Sequence, residues 1–344
     1  MRIGILGGGL QGRVIAEDLA VDFDVTIADL REVTVAGAKS LSLDLSDSEL
    51  MVSFMKEQDL VVGALPARLG FQAAKAAVEA KKNYIDIAFY EEDPAPLHEA
   101  ACEAGIAIVP DCGLAPGISN LIVGRELDKG LPDEIHIKVG GFAEDPAEPY
   151  GYAITWSPED LLDEYTRPAR ILSGGKVVSV PVLSGRQKLP VDGVGEIEEF
   201  FTDGLRTLLD CGVREMTEKT LRWPGHIDQI QPLLENGTLV EELRENCSGK
   251  RDIVVFRVDV VRDGQTERYG FVQRASDGLS AMARTTALTC ASVARWAAND
   301  GIGKTGVLPL EKIGGDEKVF ESIVHLLASK GIKIIHEEVA VGVE

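Results

Sequence analysis

Residues 2–31, RIGILGGGLQGRVIAEDLAVDFDVTIADLR, decide the fold. The apolar run Ile3, Ile5, Leu6 reads as a buried strand that leads into Gly7-Gly8-Gly9-Leu10-Gln11-Gly12. A helical stretch follows, and a second strand, DVTIAD, ends on Asp29. Each glycine of this G-x-G-x-x-G has a physical task. Gly7 allows a sharp turn, Gly9 removes a Cβ so that backbone can approach a pyrophosphate, and Gly12 lets helix and strand pack closely. The helix N-terminus offers unbonded N–H groups and a partial positive charge to phosphate. Asp29, 22 residues after Gly7, stands where a carboxylate can accept from both ribose hydroxyls. A 2′-phosphate about 4 Å from it would be repelled by several kcal/mol at an intermediate dielectric. NAD is therefore the expected cofactor and NADP the second choice, since Arg31 alone could offset the acid. The candidate cofactor residues are Gly7, Gly9, Leu10, Gln11, Gly12, Asp29, Leu30, Arg31 and Asp44, with Ala64, Leu65, Pro66 and Cys112 at later strand ends.

Outward from this unit, strand and helix patterns alternate to about residue 112. Strands are expected near 2–6, 24–29, 41–45, 59–65, 84–88 and 106–110, as short apolar runs suited to a parallel sheet buried on both faces. Ser46 with Glu49 reads as a capping box, and Asp93-Pro94 starts a helix that Gly105 ends. The expected class is α/β: a doubly wound domain over 1–117, followed by an α+β substrate domain with a mixed sheet over 118–277. A C-terminal segment, 278–344, returns its helices to the first domain. Strands are expected at 135–142, 150–155 and 176–183, then a hairpin of 252–261 with 267–274. Helices are expected from Ser157-Pro158, stopping before Pro168, and at 196–210, 278–299 and 316–330, before a last strand, IKIIHEEV.

The net charge of −21, from 35 basic and 56 acidic residues, argues against nucleic acid or an anionic membrane as a partner. The five cysteines form no C-x-x-C pair and no metal-ligand spacing, so no metal is expected and a reducing cytoplasm is. The first strand begins at residue 2, which leaves no room for a targeting segment, and no apolar run is long enough to span a bilayer. The expected partner is a small amine or amino acid.

Ligands of open parallel sheets bind at the carboxyl ends of strands. The sixth strand runs into Pro110-Asp111-Cys112-Gly113-Leu114-Ala115-Pro116-Gly117, and Asp111 there can act as a base or hold a substrate cation. Tyr90 and Glu91, after the fifth strand, are lesser candidates for that role. Cys112 reads as a small buried thiol rather than a nucleophile. Among the histidines, His226 in LRWPGH has site-like neighbours.

The N-terminal signature together with DCGLAPGISN, TWSPEDLLDEYTRPARIL, EEFFTDGLRTLL and TLRWPGH resembles the saccharopine dehydrogenase-like family, and within it the branch that oxidises lysine with NAD. The resemblance implies a dinucleotide-binding domain plus a catalytic domain whose sheet builds a dimer. It also implies NAD-dependent oxidation of the side-chain amine of a basic amino acid, lysine first. Arg167, Arg170, Thr202, Asp203, Arg206 and His226 are then candidates for the substrate pocket, with an arginine holding the carboxylate. Ala115 stands where saccharopine reductases carry an acid, which turns the expectation from saccharopine toward a free amine. The alternatives are an NADPH-dependent reductase joining an amine to a semialdehyde, of saccharopine or carboxynorspermidine type, and a non-catalytic NAD(H) sensor.

Overall fold

In the computed structural model, which describes residues 1–276 and 278–339, the chain forms two units. One comprises Met1–Arg125 with Arg284–Gly331, the other Glu126–Ala283 with Ile332–Glu344. The expected boundaries at 117 and 277 thus fall a few residues early, and residues 277 and 340–344 of that scheme lie outside the described residues.

Short β-branched runs build the sheet of the first unit. Its seven parallel strands lie in the order Gly306–Val307, Ala107–Val109, Asn83–Asp86, Leu60–Gly63, Arg2–Leu6, Asp24–Asp29, Lys39–Ser42. Adjacent residues such as Val61 and Val62, or Tyr84 and Ile85, are all fully buried, so both faces of the sheet are covered. The third strand comes two residues earlier than expected and is an exposed edge. Asp47, not Ser46, caps the helix Ser48–Lys56, its carboxylate accepting the Glu49 and Leu50 N–H groups. Ser46 instead donates its N–H and hydroxyl to Asp44. The helix Ala67–Ala80 buries only small residues, Gly70 and five alanines, which permits close packing.

The second unit is a mixed sheet in the order Gln187–Val191, Gly195–Phe201, Glu215–Arg222, Glu134–Ala143, Asp252–Arg262, Gln265–Arg274, Ile335–Val339. Glu215–Arg222 and Glu134–Ala143 run parallel, and the other pairs along this path are antiparallel. Ser157 caps the helix Pro158–Thr166 as expected, accepting the Asp160 N–H. Three expectations fail here. Residues 150–155 form a 3₁₀ turn and irregular backbone, not a strand. The stretch 196–210 is a strand followed by a 3₁₀ turn, not a helix. The last strand joins this sheet rather than returning to the first unit. The helix error has a clear cause. Glu198 and Glu199 are buried side by side, Glu198 pairing with Arg186 and Glu199 with Lys138 and Lys219, so the acidic run hides the β alternation. No helix among the described residues is long and apolar enough to cross a membrane.

Candidate functional site

The glycine turn has the geometry a dinucleotide needs. Gly7 takes φ +99°, and a Cβ on it would stand 2.4 Å from the Ala64 carbonyl oxygen. A Cβ on Gly12 would stand 2.0 Å from the Gly7 carbonyl oxygen, whereas one on Gly9 would meet only open space. The backbone at Gly9 is therefore bare on the side a pyrophosphate would take. Gly9 starts the helix Leu10–Leu19 with no side-chain cap and no acid in its first turn, leaving the N-terminal N–H groups for an anion. At the next strand end, Asp29 accepts the Gly8 N–H at 2.7 Å on one oxygen and the Arg31 N–H at 3.0 Å on the other. Leu30 and Arg31 are exposed beside it. Asp44 is also exposed, and its hydrogen bonds from Ser46 hold its carboxyl below the usual range. Leu10 is exposed and Gln11 partly so, Leu65 packs on the turn, and Pro66 starts the helix Ala67–Ala80. Arg13, which the sequence reading passed over, donates its Nε–H to the Gly8 carbonyl at 2.8 Å, and its position right after Gly12 was the available signal.

Two carboxylates are buried at adjacent strand ends of the same sheet: Asp86 is fully buried and Asp111 is 3% exposed. The Cys112 N–H donates to the Asp86 carbonyl at 2.7 Å, which ties the two ends together. Asp111 is left-handed, φ +54°, a conformation aspartate tolerates better than most residues. Tyr84 lies alongside, its phenol pushed well up by burial and by Asp86. Tyr90 is 1% exposed and packs on Phe71, while Glu91 is exposed. Cys112 is fully buried beside Cys290, whose thiol burial pushes well up, away from the range of an activated nucleophile.

The second unit holds a buried polar cluster of its own. Asp203, 2% exposed, takes a two-pronged grip from Arg170, Nε and Nη2 each at 2.9 Å, and pairs with Arg167 Nε at 3.0 Å. Both guanidiniums compensate this one buried acid, which fixes where the two expected substrate-pocket arginines lie in the cluster. Thr202 donates to Thr220, which donates to Glu164 at 2.7 Å. Arg206 sits in a left-handed turn whose charge lowers the carboxyl of Glu218, although burial still raises that acid well above its ordinary range.

His226 is 1% exposed, and burial together with Arg222 drives its pKa down to about 3. Its Nδ1–H donates to the Tyr150 carbonyl at 2.7 Å, since a carbonyl can only accept. Nε2 of this neutral ring therefore accepts the Tyr165 hydroxyl at 3.1 Å. The Tyr165 oxygen in turn accepts Nε–H of Arg222 at 2.8 Å. Both ring nitrogens are occupied, so His226 positions Tyr165 and has no nitrogen left for a substrate. Arg222, 3% exposed, lies between the Tyr152 and Tyr165 rings and was missed by the sequence reading. No group of acids, histidines and cysteines among the described residues could hold a metal.

The comparisons with known proteins agree with this layout. A family model described as "Saccharopine dehydrogenase NADP binding domain" matches residues 3–109, and "Saccharopine dehydrogenase C-terminal domain" matches residues 113–332. The chain is 28% identical over 153 residues to an Arabidopsis thaliana alpha-aminoadipic semialdehyde synthase, covering 42% of this chain and 14% of that protein. It is 24% identical over 191 residues to a Saccharomyces cerevisiae saccharopine dehydrogenase [NADP(+), L-glutamate-forming], covering 51% of this chain and 43% of that one. The chain thus matches less than half the length of these curated relatives. An apo histidine-tagged saccharopine dehydrogenase (L-Glu forming) structure from Saccharomyces cerevisiae superposes with a TM-score of 0.81 at 19% identity, covering 98% of this chain and all of that one.

Proposed function

Because the chain belongs to the saccharopine dehydrogenase family, we propose that it is an oxidoreductase that deaminates the side-chain amine of a basic amino acid with NAD. L-lysine is the first candidate, which would make the protein an L-lysine 6-dehydrogenase: once hydride has left the amine-bearing carbon, water would hydrolyse the imine, ammonia would leave, and the 6-semialdehyde would be free to cyclise. The observation that carries this reading is the pair of buried carboxylates, Asp86 and Asp111, at adjacent strand ends of the nucleotide-binding sheet. A carboxylate at a strand end of this sheet is of the right chemistry to take a proton from an ammonium substrate beside it.

The glycine turn, Arg13 and the first helix N-terminus would hold the pyrophosphate, and Asp29 the adenosine ribose. NAD, when bound, supplies the hydride acceptor. The work left to this chain is proton chemistry and positioning. An ordinary lysine ammonium titrates near ~10.4, and its nitrogen needs a lone pair before the adjacent carbon can give up hydride. Asp111 is assigned to accept that proton, while Asp86, whose carbonyl accepts the Cys112 N–H, keeps the Asp111 turn in place. Purified protein should reduce NAD with L-lysine at alkaline pH, and Asp111→Asn should lower kcat at least about a hundredfold while NADH binding persists. Full activity in Asp111→Asn would remove the residue from this role.

A second reading has its own support. The matched nucleotide-domain model and the yeast relative both carry NADP in their descriptions, which favours a reductase that joins an amine to a semialdehyde. Parallel assays with NAD and lysine, and with NADPH, glutamate and a semialdehyde, separate the two by which pair turns over.

A further inference from the structure

The turn that carries Asp111 is closed on itself. Gly113 donates its N–H to the Pro116 carbonyl at 3.2 Å, and its own carbonyl accepts the Ile118 N–H at 3.1 Å. The Leu114 carbonyl accepts the Ser119 N–H at 3.2 Å, and the Asp86 carbonyl holds the Cys112 N–H at the near end. Gly117 takes φ +141°, and a Cβ on it would stand 1.8 Å from the Gly113 carbonyl oxygen, so the chain crosses itself there. These backbone bonds shape the turn, while a side chain fixes its far end.

That side chain is Asn120, 1% exposed, in the first turn of the helix Ile118–Asp128. Its Oδ1 accepts the Gly117 N–H at 3.0 Å and the Ser119 hydroxyl at 3.1 Å. Its Nδ2 donates to Glu311 Oε2 at 2.9 Å, in the helix Leu310–Gly314. An ionised carboxylate can only accept, so one orientation of the amide serves both ends. The two helices meet through bare backbone. A Cβ on Gly124 would stand 2.3 Å from the Glu311 carbonyl oxygen, and one on Gly314 would stand 2.3 Å from the Leu121 carbonyl oxygen. From Glu311 the chain leads back to Gly306–Val307, which pairs with Ala107–Val109, and the Leu308 N–H donates to the Ile108 carbonyl at 2.8 Å. Ala107–Val109 in turn runs into Asp111. Strand, turn, helix and anchoring helix form one ring, and Asn120 is the side-chain link in it.

We propose that Asn120 is a positioning residue for Asp111, clamping the turn that carries the acid to Glu311 of the helix Leu310–Gly314. It stays away from the reacting atoms and acts through the turn alone. This assignment rests on the reading of Asp111 as the proton acceptor. Proton transfer needs donor and acceptor within hydrogen-bond reach, so a small slip of the turn slows the reaction more than it weakens binding. The place requires an amide. Alanine would release both ends of the clamp, and aspartate would keep the acceptor toward Gly117 while setting a second carboxylate against Glu311.

The test exchanges the partners. Asn120→Asp puts two acids face to face, and adding Glu311→Gln restores a donor opposite the new carboxylate. In lysine oxidation with NAD, Asn120→Asp should lower kcat about tenfold or more while the NADH dissociation constant moves less than about threefold. The double variant, Asn120→Asp with Glu311→Gln, should recover most of that kcat. Asn120→Ala should lose kcat to a similar extent and gain nothing from Glu311→Gln, because no carboxylate is left to receive the new donor. Amide hydrogen exchange across residues 111–119 needs no turnover. It should quicken in Asn120→Asp and return toward wild type in the double variant. If wild type oxidises no amine, the reading of Asp111 falls, whereas repair of exchange in the double variant still separates a true clamp from a false one. Wild-type kcat and exchange in Asn120→Asp, or losses that Glu311→Gln leaves unrepaired, overturn the assignment.

Discussion

Asp29 shows how much one side chain can settle. Its two oxygens each accept one backbone N–H, from Gly8 and Arg31, and those bonds fix the carboxylate where a ribose hydroxyl would meet it. Replacing it with Ala leaves the Gly8 N–H without its acceptor and removes the charge that opposes a 2′-phosphate. Binding titrations with NADH and NADPH should then show the NADH-to-NADPH preference falling at least about tenfold, mostly through weaker NADH. An unchanged ratio would leave cofactor choice to some other group. Asp29 and the glycines were readable because their partners lie within one strand–turn–helix–strand unit. Arg222 was not, because the partners that hold it, Tyr152 and Tyr165, lie more than 50 residues away in the sequence. The partner of Arg170 was equally hidden, since Asp203 reaches it from 33 residues along the chain.

At the scale of elements, local signals worked where the chain met its own neighbours and failed where distant charges intervened. The Ser157-Pro158 start and the glycine turn were legible because the capping groups lie three residues or fewer away. The strand Gly195–Phe201 was not, since Arg186, Lys138 and Lys219 neutralise its glutamates from other strands. The helix Ala281–Asp300 gives a related case. Its first N–H groups, at Ala281 and Met282, donate to Asp252 at 2.6 and 2.9 Å, so a strand about 30 residues earlier shares the capping with Ser280, which accepts the Ala283 N–H. Asp252→Ala should cost about 1–2 kcal/mol, the usual range for a lost N-cap, visible as a lower urea midpoint with an unchanged slope. No shift in midpoint would show that the helix start is held by other contacts.

Across the whole molecule, buried titratable groups set how stability responds to pH. His226 has a folded pKa of about 3 against 6.5 for the free side chain. The unfolded chain therefore binds more protons between those values, and stability falls as pH drops through that window. The limiting slope is about 1.4 kcal/mol per pH unit for one proton. Glu218 acts in the other direction: its raised folded pKa means that stability is lost as pH climbs above the ordinary carboxylate range. His226→Gln should flatten the acid limb between pH 6.5 and 3 by up to one proton, read from urea unfolding at several pH values. An acid limb of the same steepness would assign it to other groups.

The split make-up of the nucleotide-binding unit bears on how the chain is made. Residues 1–125 supply six of its strands, but the seventh, Gly306–Val307, and most of the helix Ala281–Asp300 are encoded after every strand of the second sheet except Ile335–Val339. During synthesis the strand Ala107–Val109 must therefore wait with an open edge while about 200 residues pass, a template for unwanted strand pairing. That strand is only three residues long, which keeps the exposed edge short until its partner emerges.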